Sequence, residues 1–288
     1  MTQGNKARLM VVVSMLIFGT IGVFVKFIPL PSSVIAFARS VIGTLFLLIV
    51  SVVSKNKPSF SAIKKNLPIL LALGTFLGAN WILLFEAYRY TTVAVATLCY
   101  YLAPVFVVLV SPLVLGEKLT LKKFIFSVIA LFGMILVSGV VGGENTVSVT
   151  GMLFGVGAAV LYASIILLNK KLKDISANDT TIAQLGISAV VVGIYVFFTE
   201  DFSAMSLTGK EAVLLVIVGI VHTGIAYALY FGAVKSLKAQ TAAIFSYIDP
   251  VFAIILSALF LSEPMTVIAT VGAVLILGST LVSELTDK

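Results

Sequence analysis

The chain has 288 residues, of which 60% are hydrophobic and only 11% are charged, against about 25% charged in an average soluble protein. This composition predicts an all-α integral membrane protein, and it excludes a soluble enzyme, a secreted disulfide scaffold and a nucleic-acid-binding domain. A single cysteine, Cys99, and a single histidine, His222, exclude an intramolecular disulfide and a zinc cluster, so no metal or cofactor is predicted.

Apolar stretches long enough to cross a bilayer, about 20 residues each, occur ten times along the chain. They are 9–28, 34–53, 67–88, 93–115, 124–141, 151–168, 180–198, 212–234, 239–261 and 267–282. The connections between them are short and polar, which leaves no room for a soluble domain. The first stretch follows Lys6 and Arg8 as a signal peptide would, but it is too long and lacks a cleavage site, so it is interpreted as a retained span.

The placement of lysine and arginine predicts which side of the membrane each loop faces, because cytoplasmic loops retain these residues. If the N-terminus is inside, fifteen of the 19 basic residues fall in inner segments and only Arg89 and Lys210 in outer ones. Lys26 and Arg39 lie within spans. This alternation predicts ten spans in the cell membrane with both termini cytoplasmic. The net charge of +7 is therefore interpreted as a topology signal.

The sequence repeats itself at an offset of 146 residues. Segment 101–120 begins Tyr-Leu-Ala-Pro-Val-Phe, and segment 247–266 begins Tyr-Ile-Asp-Pro-Val-Phe. Segments 18–26 and 162–170 also match, at an offset of 144 residues. Each half then holds five helices, and a unit with an odd number of spans must be inverted when it is repeated. The predicted units are residues 1–142 and 143–288, an arrangement that favours alternating access. A duplication that only builds a bundle is the alternative.

These motifs resemble those of the EamA-type transporters of the drug/metabolite transporter superfamily. The matching features are an aromatic residue followed by glycine, a basic residue at the end of the first helix, an arginine in the second, and a Pro-Val-Phe motif followed by Gly-Glu-Lys-Leu-Thr. In this sequence they are Phe18-Gly19, Lys26, Arg39, 104–106 and 116–120, with counterparts at 249–252 and 262–266. Ser262 replaces the usual glycine. The resemblance covers nearly the whole chain and implies two five-helix repeats and transport, with efflux favoured, but no particular substrate.

Asp249 is a carboxylate placed at mid-depth in a predicted span. It lies ten residues into the ninth span, about 15 Å from its end at a rise of 1.5 Å per residue. The next residue, Pro250, interrupts the helix, as Pro104 does at the equivalent place in the fourth span. A carboxylate at mid-depth beside a broken helix is a candidate substrate or proton site. The alternative is a structural carboxylate that binds freed backbone groups.

Polar and aromatic residues gather at the same predicted depth and suggest a small-molecule cavity. Trp81 and Tyr227 are equivalent under the 146-residue offset, as are Tyr101 and Tyr247. The candidate substrate-binding residues are Asn80, Trp81, Tyr100, Tyr101, His222, Tyr227, Tyr247 and Asp249. Helix packing is the alternative role for each aromatic residue, and a hydrogen-bonded core position is the alternative for His222.

Four charged residues are candidates for gating or ion coupling: Lys26, Arg39, Glu86 and Asp249. A pair of Glu86 with Arg39 or with Lys26 would offset the cost of burying both charges and could form an outer gate. For Lys26 and Arg89, reaching out to the polar interface is the simpler interpretation.

The predicted function is secondary transport of a small metabolite by alternating access. An amino acid, an amine or a related solute fits a carboxylate surrounded by aromatic rings. Proton coupling through Asp249 or Glu86, uncoupled facilitation and exchange all remain open, as do import, a passive channel and a sensor. The sequence has no nucleotide-binding motif and no catalytic pair, so neither an ATP-driven pump nor an enzyme is predicted. The expected partners are the solute and the lipid bilayer, without nucleic acid; the oligomeric state is not specified.

Overall fold

The computed structural model describes residues 3–55, 57–91, 96, 99–137, 148–260 and 266–285, and within these ranges the chain is helical without strands. The helices are α1 (Gln3–Lys26), α2 (Ser32–Val53), α3 (Phe60–Lys65), α4 (Leu67–Tyr90), α5 (Ala103–Leu115), α6 (Leu121–Val137), α7 (Val149–Asn169), α8 (Ala177–Thr199), α9 (Gly209–Ile217), α10 (Ala226–Ser236), α11 (Ala239–Phe245), α12 (Ile248–Phe260) and α13 (Val267–Leu285). A π-helical segment, Val218–Ile225, joins α9 to α10, and a short 3₁₀ turn, Phe202–Ala204, precedes α9.

Within the described ranges, six helical stretches are long and apolar enough to cross a membrane. They are α1, α2, α4, α7, α8 and the continuous run Gly209–Ser236, and each overlaps one of the predicted spans. The other four predicted spans coincide with shorter or broken helices, or extend into residues outside the described ranges. The count of ten therefore stays a prediction.

Apolar side chains cover the outside of the bundle, and polar ones are buried inside it. Leu113, Phe198 and Val53 are 87%, 79% and 77% exposed, whereas Gln184 and Gln240 are fully buried. In water this distribution would be unfavourable, but lipid solvates an apolar surface and leaves polar groups to find partners inside the bundle. The chain is thus a multi-pass membrane protein.

Buried amide side chains connect the helices. Asn80 of α4 donates a hydrogen bond of 2.6 Å to the carbonyl oxygen of Ala158 on α7. Gln184 of α8 donates to Asn169 at the end of α7, at 2.9 Å. Because lipid offers these groups no partner, such bonds fix the neighbours of each helix.

Two ends of the bundle can be distinguished from the antiparallel packing of α2 and α8. At the outer end, Ser33 donates to Glu200 at 2.5 Å. At the inner end, Asn178 donates to Ser51 at 2.5 Å. The names follow the predicted orientation, in which the loop before α2 is outside.

The inner end also carries α3, a short helix that hydropathy does not predict. Next to it, Lys65 forms an exposed ion pair of 2.6 Å with Asp174. The hydrogen bond from Lys65 holds the pKa of Asp174 below its ordinary value. Asn66 donates to the carbonyl oxygen of Lys173 at 2.8 Å, so the loops before α4 and after α7 are joined.

The fourth and ninth predicted spans are both interrupted, but the interruptions precede the prolines. The chain turns at Tyr101 before α5 and at Tyr247 before α12. Pro104 and Pro250 then lie in the first turn of the following helix, where the missing N–H group would have had no intrahelical partner. Asp249 consequently lies at the start of a helix rather than in the middle of one.

Helix α1 packs unusually close to α12 beside this break. A β-carbon added to Gly19 would stand 2.8 Å from the carbonyl oxygen of Asp249 and 3.0 Å from Cβ of Phe252. Only glycine fits at such a distance. This contact fixes the start of α12 against the middle of α1.

Candidate substrate-binding site

A cavity of about 170 Å³ lies between the halves of the chain, among α1, α2, α4, α7, α10 and α12. It is lined by Met15, Phe18, Ile21, Arg39, Trp81, Leu84, Phe85, Tyr100, Tyr162, Tyr227, Tyr230 and Asp249. Drug-sized ligands occupy pockets of about 300–1,000 Å³, so this volume suits a small metabolite. The lining is mostly aromatic and carries one cation and one anion.

Arg39 is the cation. Its guanidinium carbon lies 4.2 Å from the centre of the Trp81 ring, a cation–π contact. Its Nε atom is buried and has no hydrogen-bond partner among the described residues. Since a buried donor without a partner is costly, Arg39 has capacity left for an anionic group of a solute.

Asp249 is the anion, and it lies in the first turn of α12. The hydroxyl of Tyr101 donates to its Oδ2 at 3.3 Å. Tyr101 itself stacks on Tyr247, with ring centres 6.1 Å apart, and the Tyr247 hydroxyl donates to the Tyr101 carbonyl oxygen at 3.0 Å. The two tyrosines at the helix breaks therefore support the carboxylate from behind, outside the cavity lining.

Other aromatic rings form the walls. Phe18 meets Tyr227 edge-on at 4.9 Å, and Tyr100 stacks on Tyr162 at 5.5 Å. The hydroxyls of Tyr162 and Tyr230 are 3.0 Å apart. Two of these rings could have been found from the sequence, since Tyr162 matches Phe18 in the repeat and Tyr230 follows Tyr227 by one helical turn.

Residues that are equivalent under the repeat meet in the cavity lining and directly behind it. Trp81 and Tyr227 are in contact, with ring centres 6.1 Å apart, and Tyr101 and Tyr247 are stacked. The cavity thus lies where matching parts of the two halves face each other.

Two further candidate substrate-binding residues, like Tyr101 and Tyr247, do not line the cavity and are directed elsewhere. Asn80 bonds to the backbone of α7. His222, in the π-helical segment, lies with Nε2 2.6 Å from the hydroxyl of Thr20 and with its ring 4.9 Å from that of Phe24. Both side chains are buried outside the cavity lining, where they join α4 to α7 and the π-helical segment to α1.

A second cavity, of about 340 Å³, opens at the outer end and is referred to below as the outer vestibule. It is lined by Pro31, Ser32, Ser33, Phe85, Glu86, Tyr88, Arg89, Tyr195, Thr199 and Glu200. Phe85 lines both this vestibule and the central cavity.

The expected pair of Glu86 with Arg39 does not form in this structure. Arg89 donates to Glu86 at 2.9 Å, and the Tyr195 hydroxyl also donates to it. Arg39 lies over Trp81 instead. The reason is helical geometry: Arg89 follows Glu86 by three residues, so the two lie on the same face of α4. Lys26 is exposed at the end of α1.

Comparisons with known proteins give a family model, relatives of similar sequence and a solved structure of similar fold. A family model described as the EamA-like transporter family matches residues 5–139 and again residues 149–284. The uncharacterized transporter YxxF of Bacillus subtilis (strain 168) is 32% identical over 95% of this chain and 88% of its own length. Solute carrier family 35 member G1 of Mus musculus is 26% identical over 81% of this chain and 66% of its own length. One solved crystal structure shares the fold, with a TM-score of 0.86 over 97% of both chains at 19% identity.

Proposed function

The chain belongs to the EamA-like transporter family and is a membrane transporter, and on that premise we propose that it is a secondary carrier of a small metabolite that works by alternating access. The observation that carries the proposal is the central cavity, which holds Arg39 and Asp249 among aromatic rings between the two halves. A site at the junction of two repeats is where inverted-repeat carriers bind their solutes.

The proposed architecture is ten spans in two inverted units, residues 1–142 and 143–288. The separate family matches to residues 5–139 and 149–284 support two units. The helix breaks at Tyr101 and Tyr247 support it too, because each falls at the same position of the repeat. Discontinuous helices of this kind line the solute sites of inverted-repeat carriers.

The proposed orientation places both termini in the cytoplasm. The inner end joins the lysine-rich loops, as in the Lys65–Asp174 pair. The outer end holds Glu200, Ser33 and the Glu86–Arg89 pair. Loops that share a predicted side therefore contact one another, which supports the alternation of sides.

The proposed solute is an amino acid, an amine or a related molecule, with efflux as the direction. Asp249 would bind an ammonium group, and the aromatic walls would attract the same cation. Arg39 would bind a carboxylate. We also propose proton coupling at Asp249, because a carboxylate that accepts either a proton or an ammonium group can exchange one for the other.

A thermal-stabilisation screen of the purified protein tests the site. Amino acids, amines, sugars and nucleosides are screened against the native protein and against Asp249→Asn. The expected result is a stabilising amino acid or amine whose effect is lost in Asp249→Asn. The matched control is Asp201→Asn, the same change on an exposed loop residue. A stabilising solute that is unaffected by Asp249→Asn would overturn the assignment of the site.

Counterflow in proteoliposomes tests the mechanism. A carrier gives exchange that saturates with solute, because each molecule occupies the cavity in turn. Flux without saturation would instead indicate a passive channel, and binding without any flux would indicate a sensor.

A further inference from the structure

The linker at residues 237 and 238, between α10 and α11, is bound by charged side chains from two other parts of the inner end. The ammonium group of Lys170 donates to the carbonyl oxygens of Val234 and Lys235, at 3.2 Å each, and to that of Leu237. The carboxylate of Glu117 accepts hydrogen bonds from the backbone N–H groups of Ala239, at 2.7 Å, and Gln240, at 3.3 Å.

Each charge complements the helix end that it binds. The last carbonyls of α10 form its negative end and receive an ammonium group, while the first amides of α11 form its positive end and receive a carboxylate. Lys170 uses all three of its donors in this way. Gly116, in the left-handed conformation with φ of 69°, ends α5 and turns the chain so that Glu117 reaches α11. The linker is thus held from both sides by half-buried charges.

This set of contacts lies directly below the central cavity. Tyr162, Ile166 and Lys170 are spaced four residues apart and so share one face of α7. Lys170 is therefore about 12 Å further along α7 than the cavity-lining Tyr162, at 1.5 Å per residue. Ile166 is fully buried between them. Tyr230, the hydrogen-bond partner of Tyr162, lies one turn before the α10 carbonyls that Lys170 binds.

We propose that Lys170 and Glu117 form the inner gate of the carrier. Their bonds hold α7, α10, α11 and the end of α5 together and close the path from the cavity to the cytoplasm. All five bonds join a side chain to backbone at helix ends, so they can break without unwinding any helix. The proposal rests on the proposed alternating-access function.

The sequence repeat independently points to gating. Lys170 corresponds to Lys26, and Glu117 corresponds to Glu263. In the proposed inverted repeat, Lys26 and Glu263 would belong to the outer end; Glu263 lies outside the described residues. A carrier that opens alternately to each side needs one gate at each end, and the repeat supplies a lysine and a glutamate for the second one.

Accessibility of a reporter cysteine at position 166 tests the gate. Cys99→Ala removes the only native cysteine, and Ile166→Cys places a thiol between the cavity and Lys170. In inverted membrane vesicles, a membrane-impermeant maleimide should label this cysteine slowly. Adding Lys170→Met or Glu117→Gln should raise the labelling rate about tenfold, within the five- to 150-fold range typical of conformational coupling.

Matched variants separate a gate from a general structural role. Lys173 lies in the loop before α8, four residues ahead of Ala177, the first residue of that helix. Lys173→Met removes an exposed charge there and should leave the labelling rate unchanged. Lys170→Arg retains the donors and should keep labelling slow. Thermal unfolding is measured for every variant. The gate would be overturned if Lys170→Met and Glu117→Gln were both labelled at the rate of the parent. It would also be overturned if Lys173→Met raised the labelling rate as much as Lys170→Met does.

Counterflow on the same proteins keeps the two proposals apart. If the parent exchanges solute but Lys170→Met and Glu117→Gln leave labelling unchanged, the gate is wrong and the carrier function stands. If labelling rises while the parent exchanges no solute, the inner contacts do control access, and the carrier function is wrong.

Discussion

At the scale of single residues, the two charges of the cavity are stabilised in different ways. Arg39 is held over the face of Trp81 and beside Tyr227, and its Nε atom has no hydrogen-bond partner among the described residues. Asp249 is held by the Tyr101 hydroxyl and by its place at the start of α12, whose positive end favours an anion. Each charge can therefore still form strong hydrogen bonds to a solute of opposite sign.

Arg39→Lys should weaken solute binding although it keeps the positive charge. A lysine ammonium group lacks the planar guanidinium that stacks on Trp81 and binds a carboxylate in a bidentate manner. We expect about tenfold weaker binding, equivalent to about 1.4 kcal/mol, measured by titrating the solute identified in the screen. Arg89→Lys in the outer vestibule is the control and should bind normally. Equal affinity in Arg39→Lys and the native protein would contradict this role for Arg39.

Tyr101→Phe and Tyr247→Phe remove one hydroxyl each but should have different effects. The Tyr101 hydroxyl bonds to Asp249, so its loss should change solute affinity by about fivefold, the equivalent of about 1 kcal/mol for one hydrogen bond. The Tyr247 hydroxyl bonds only to backbone, so its loss should lower thermal stability with affinity unchanged. Titration and thermal unfolding of both variants are the measurements. An unchanged affinity in Tyr101→Phe would argue against its support of Asp249.

At the scale of helices, hydropathy predicts where spans lie but not how they are interrupted. A span requires only length and apolar composition, which explains the agreement for α2 and α4. The π-helical segment around His222 is as apolar as its neighbours, so composition carries no signal for it. Pro250 marks a break in the ninth span, but the break falls before it, at Tyr247, because proline is tolerated in the first turn of a helix.

Gly19→Ala should disturb the packing of α1 on α12. Its new methyl group would stand 2.8 Å from the Asp249 carbonyl oxygen, and such overpacking costs about 1–3 kcal/mol. Because the displaced backbone carries Asp249, counterflow should fall as well. Gly22→Ala on the same helix is the control, since no atom lies within 4 Å of its added carbon. Thermal unfolding and counterflow are measured for both, and equal behaviour of the two variants would contradict the packing role.

At the scale of the whole molecule, the repeat is the part of the sequence that predicts most about the cavity. It relates Tyr227 to Trp81, and the two rings are in contact. Depth along a span was less informative, because it places a residue at a level without giving its direction around the helix. Asn80 and His222 face neighbouring helices rather than the cavity, whereas Tyr230, which depth did not single out, lines it one turn after Tyr227.

The orientation of the entire bundle gives the last prediction. In the Cys99→Ala protein, single cysteines at Ser203 and at Lys173 introduce thiols at two exposed positions on loops predicted to face opposite sides. In intact cells, a membrane-impermeant maleimide should label position 203 at once, whereas position 173 should react only after the membrane is permeabilised. The charge bias explains this result, since lysine-rich loops are retained in the cytoplasm. Labelling of position 173 in intact cells would reverse the orientation, and labelling of both positions would mean that an odd number of spans does not separate them.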